Sequence, residues 1–176
     1  MRNLFLISTL IWFLGFGYAF ATYDYSRSEE KSGDSRWYAE YHGFNDSALN
    51  NTLVILKTNI IGVVVLFLGG IVLAAPTISL LLFNGYQIGV ILLSSLYSSK
   101  QKTALLFLPH SIEFVAIWIA GALGLKLGVI VFSLVFNEQQ PDINDLKKLR
   151  NYFFIVCLMI ITGSIIEGFV SANFIR

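Results

Sequence analysis

Between Lys57 and Lys100 the chain runs for 42 residues, positions 58–99, without one charged side chain. A helix rises 1.5 Å per residue and needs about 20 residues to cross a hydrocarbon core ~30 Å thick, so the run is twice as long as one crossing requires. Pro76 stands near its middle. The pattern predicts two helices joined by a tight turn, about 52–75 and 76–99, with Pro76 in the first turn of the second, where its missing N–H is no loss.

Composition agrees with a lipid-embedded chain. Hydrophobic residues make up 56% and charged residues 13% of 176 positions, against roughly 25% charged in a soluble domain. The net charge of +1 and the lack of a basic stripe argue against a nucleic-acid partner, and leave the lipid bilayer as the partner that composition implies. A lone cysteine, Cys157, excludes an intrachain disulfide and a multi-cysteine metal site; it reads as a small buried hydrophobe.

Three further spans follow from the same length argument. Residues 4–21 are 18 positions without a charge behind Arg2, a signal-like segment whose Ala19-Phe20-Ala21 matches a cleavage pattern and which is read as an uncleaved anchor. Residues 104–136 number 33, and Pro109 divides them into a short helical or re-entrant piece and a long tilted helix from 110 to 136; the alternative is two short helices broken near Gly121. The last span is 151–175. The expected fold is therefore all-α and polytopic, with about five spans and a re-entrant or broken helix before the fourth. Its organisation is an N-terminal anchor (1–21), a polar extracytoplasmic loop (22–51) and a helical membrane core (52–176). The loop has aromatic anchors in Trp37, Tyr38, Tyr41 and Phe44, and residues 137–150 read as a polar connection. Arg2, Lys147, Lys148 and Arg150 would be cytoplasmic by charge bias, although Lys100, Lys102 and Arg176 then fall outside.

Ionisable side chains inside apolar runs cost at least ~2.5 to 3.5 kcal/mol at the bilayer centre, so they are where function is sought. Lys57 is near enough to the loop to snorkel. His110 and Glu113, three apart, share a helical face, and Glu167 in the last span falls at a similar depth. With Asn59 they form a candidate polar cluster; Asn84, beside Gly85 in the third span, and Lys126 are further polar candidates. Lys126 must pair, snorkel or sit at a helix break, and pairing with Glu167 would need a shift of ~10 Å against a simple depth count. Ala116, Ala120, Gly124 and Gly128 recur every four residues and predict a close-packing helix seam, either within the chain or between copies.

The cluster admits three readings. His110, Glu113 and Glu167 could hold a metal ion in a hydrolase, but the H-E-x-x-H pattern is absent. The carboxylates could relay protons or line a path in a transport complex. They could instead fix helix packing through hydrogen bonds, protonation or pairing with Lys126, which is the preferred reading.

The residues 108–113, Leu-Pro-His-Ser-Ile-Glu, followed by Ala116 and the run Ile119-Ala120-Gly121-Ala122-Leu123-Gly124-Leu125-Lys126-Leu127-Gly128, resemble the stage II sporulation protein M family. Ile166-Glu167-Gly168-Phe169-Val170 and Phe83-Asn84-Gly85 with Gly89 add to the likeness, which covers residues 52 to the C-terminus. Ser111 stands where that family tends to have Gly. The resemblance implies a helical integral membrane protein and no catalytic activity, in agreement with the preferred reading of the cluster; no enzyme and no cofactor are expected. It also implies a scaffold for other membrane or envelope proteins, such as cell-wall-remodelling enzymes, in a prokaryotic cytoplasmic membrane. Self-association and a place beside transport systems are compatible with it.

Overall fold

The computed structural model describes the backbone of residues 1–23, 47–98 and 100–175, and the side chains of 1–23, 47–94 and 111–169. The polar loop, its aromatic residues and the His110 side chain lie outside the described residues. Five α-helices are formed: α1 (Arg2–Thr22), α2 (Ala48–Leu68), α3 (Ala75–Ser98), α4 (Lys100–Phe136) and α5 (Ile143–Ile175). Each contains a stretch long and apolar enough to cross a membrane.

The starts of the helices depart from the boundaries expected from apolarity alone. Helix α2 begins at Ala48, with the Ser47 hydroxyl accepting from Asn50 N at 3.4 Å. Helix α5 begins at Ile143, where Asp142 Oδ1 accepts from Asn144 N at 2.9 Å, so most of the stretch read as a polar connection is helical. A capping acid satisfies a free N–H whether or not the following turns are apolar. The expected break before the fourth span is absent, because α4 runs unbroken through Pro109 and Gly121. One proline removes a single backbone hydrogen bond, and packed neighbours in a membrane bundle tolerate that loss.

Between α2 and α3 the chain makes a 3-10 turn, Gly69–Val72, and then places Leu73 and Ala74 at φ 51° and 64°. This left-handed pair turns the chain back, and Pro76 enters the first turn of α3 as its lack of an N–H allows. Helix α3 runs without interruption through Asn84-Gly85.

Helix α4 is central and packs against all four others, whereas α1 packs on α3 and α2 packs on α5. Its run Ala120–Leu125 is buried on every side. Over that run α4 is covered all round, and its residues are accordingly small or apolar on every face. Helix α1 lies parallel to α3 at very close range. A Cβ at Gly85 would overlap the Trp12 carbonyl, one at Gly15 the Leu82 carbonyl, and one at Gly89 would stand 2.6 Å from the Ala19 Cβ. The apolar core is shared by Val63, Leu66, Leu81, Leu123, Val156 and Ile160.

Candidate functional site

The seam residues Ala116, Ala120, Gly124 and Gly128 are all buried along one face of α4. They meet the end of α2, the 3-10 turn and the start of α3. A Cβ on Gly124 would overlap the Leu66 carbonyl and stand 2.7 Å from Thr77 Oγ1, and one on Gly128 would stand 2.9 Å from the Ala74 Cβ. Thr77 Oγ1 donates to the same Leu66 carbonyl at 2.8 Å. The carbonyl at the end of α2 thus gains a side-chain donor where its helix stops, and Gly124 leaves the room for it.

Nearer the opposite membrane face, α2, α4 and α5 enclose a polar site. Glu113 is buried, and its Oε1 accepts from Asn59 Nδ2 at 2.7 Å and, more weakly, from Ser164 Oγ at 3.5 Å. Gly163 makes this approach possible: a Cβ there would stand 2.8 Å from Glu113 Cγ. One carboxylate oxygen therefore ties three helices together.

Glu167, also buried, follows Ser164 by three residues on the same face of α5. The adjacent Gly168 presses on Thr52, where a Cβ would overlap the hydroxyl. Asn51 and Thr52 are buried opposite this stretch, so polar side chains line the α2–α5 interface from Asn51 to Asn59. Ser164 escaped the sequence reading, although its spacing of three from Glu167 is the signal that places both on one helical face.

Two candidates belong elsewhere. Asn84 Nδ2 donates to the Leu80 carbonyl of its own helix at 3.1 Å. Lys126 does not reach Glu167: its Nζ pairs with Asp145 Oδ2 at 2.7 Å, on the membrane side where α5 begins. The depth conflict raised by a single straight α4 disappears because the lysine extends toward that face, and the acid it meets lies in the first turn of α5, a stretch expected to be loop. Lys57 is exposed. Among the described residues no three His, Cys, Asp or Glu side chains group to hold a metal ion.

A second feature had no motif to announce it. Trp12 is buried at 3% exposure, stacks on Phe16 at 5.4 Å and meets Trp118 edge-on at 5.6 Å. Phe114 lies 5.4 Å from Trp12, and Phe13 5.8 Å from Trp118. Together with Ser8 Oγ, which donates to the Trp118 carbonyl at 2.8 Å, this aromatic cluster fastens α1 to α4.

Five apolar helices around a buried carboxylate site define a polytopic helical membrane protein. The chain belongs to the stage II sporulation protein M family, whose model matches residues 4–172. That match includes α1, which the motifs beginning at residue 52 left out. No curated protein and no solved structure matches the chain.

Proposed function

We propose that this protein is a non-enzymatic membrane scaffold or regulatory subunit that assembles partner membrane or envelope proteins, in a prokaryotic cytoplasmic membrane. The observation that carries the reading is the use made of Glu113. Its Oε1 is held by Asn59 and Ser164 from two other helices within a buried interface, so the acid serves to fix one packing arrangement. Buried polar groups in lipid are costly when unsatisfied, and a site in which they satisfy one another specifies a single bundle geometry. A single geometry is what a surface that presents other proteins requires. The likeness to a family whose sporulation member is regarded as a scaffold for cell-wall-degrading partners supports the same reading.

The test is affinity purification of the whole chain from mild detergent, with Glu113→Gln and Glu113→Ala beside it. Wall-remodelling enzymes retained by the native chain and by Glu113→Gln, but lost with Glu113→Ala, support the scaffold. Retention of an ATPase or permease subunit in their place would transfer the protein to a transport complex whose path the two carboxylates line.

A further inference from the structure

The hairpin formed by the end of α4 and the start of α5 reaches past the rest of the bundle. Ala74, in the turn between α2 and α3, packs at Gly128, and α4 continues eight residues further to Phe136, a rise of ~12 Å. On this projecting part the Phe132 and Phe136 rings lie 4.7 Å apart, tilted by 34°, and remain 49% and 60% exposed, and Ile143 across the turn is 60% exposed.

The adjoining turns of α5 are different in character. Lys147, Lys148 and Arg150 are exposed there, beside lipid-facing residues that begin with Tyr152. Asp145 is engaged by Lys126 at 2.7 Å, and Arg150 Nη2 reaches only Asn151 Oδ1, at 3.5 Å. The remaining acids near this end are Glu138 and Asp142, both exposed on the outer turn. With Arg2 at the start of α1 and Lys126, this end of the bundle has five basic residues against three acids among the described residues.

We propose that this hairpin is a binding surface for the headgroups of anionic phospholipids in the leaflet on the N-terminal side. Lys147, Lys148 and Arg150, on the turns of α5 nearer the bundle than the hairpin tip, take the phosphate and its negative charge. Charge complementarity names the occupant. Basic side chains at headgroup level gain from anionic lipid. A neutral lipid would leave the cations without a counter-charge.

The experiment is native mass spectrometry of the whole chain in detergent with phosphatidylglycerol, phosphatidylcholine or inorganic phosphate added. Phosphatidylglycerol is expected to bind at least about tenfold more tightly than phosphatidylcholine, the triple variant Lys147→Gln/Lys148→Gln/Arg150→Gln to lose that preference, and millimolar phosphate not to displace the lipid. The three side chains are exposed, so the variant's melting temperature serves as the control for folding. The proposal is overturned by equal binding of the two lipids, by a preference that survives in the triple variant, or by displacement with phosphate, which would mark a site for a soluble anion.

Discussion

Asn59 Nδ2 donates to Glu113 Oε1 at 2.7 Å across the interface of α2 and α4, joining residues 54 positions apart. The Ser164 hydroxyl stands farther from the same oxygen, at 3.5 Å. Removing Asn59 therefore strips the shorter of these two hydrogen bonds from a buried acid. Asn59→Ala is expected to destabilise the bundle by about 1–3 kcal/mol, and a double-mutant cycle with Glu113→Ala to show coupling between the two positions. Thermal unfolding in detergent, followed by circular dichroism, measures it; strictly additive effects would remove the bond from any account of the site.

The packing of α4 makes a prediction with an internal control. Gly124→Ala places a methyl group onto the Leu66 carbonyl, whereas a Cβ at Gly62 meets nothing within 4 Å. Gly124→Ala should lower the melting temperature and the yield of monodisperse protein. Gly62→Ala should leave both unchanged or raise them slightly, because alanine favours helix by roughly 1 kcal/mol over glycine. Equal outcomes would mean that α2 and α4 can separate at no cost.

Lys126 and Asp145 are 27% and 34% exposed, so their ion pair is partly screened. Such pairs contribute little. Replacing both, as Lys126→Met/Asp145→Asn, should leave the melting temperature nearly unchanged, while Lys126→Met alone leaves an acid near the membrane face and lowers it more. Denaturation at low and at 0.5 M salt tests the ionic origin, since the difference between single and double variants should shrink with salt.

Much of this architecture was legible from residues alone. The 42-residue uncharged run divided at Pro76 gave α2 and α3 because span length is set by the bilayer. The small residues of α4 were visible because their spacing matches the helical repeat. Polar helix starts were not: Asp145, Lys147, Lys148 and Arg150 hide the first two turns of α5, where amphipathic character at a membrane face resembles a loop. The partner of Lys126 was missed for the same reason. Nor could the sequence match Gly85 and Gly89 to α1, since a glycine records that something comes close without saying what does.

Glu138 adopts φ 53° in the turn after α4. A residue with a Cβ is strained there and glycine is not, so Glu138→Gly should stabilise the protein by up to about 1 kcal/mol, offset by greater freedom of the unfolded chain. A rise of a few degrees in melting temperature is expected.

Helix α1 looks like a cleavable leader in sequence but is a core helix in structure. Ala19, at the cleavage-like motif, is fully buried, with Gly89 of α3 beside it. The protein isolated from membranes should retain this helix. Intact mass of a C-terminally tagged chain decides the matter, and a loss of about 2 kDa, the mass of a segment of ~20 residues, would contradict it.

The hydrogen bond from Ser8 to the Trp118 carbonyl spans 110 residues of chain. At ~5–20 residues per second, the ribosome delivers that acceptor on the order of 5–20 s after the serine. During this interval α1 is already in the bilayer with its glycine face and its hydroxyl awaiting partners not yet made. The first helix to enter the membrane is thus completed by a contact with the fourth, and biogenesis must shelter it until then.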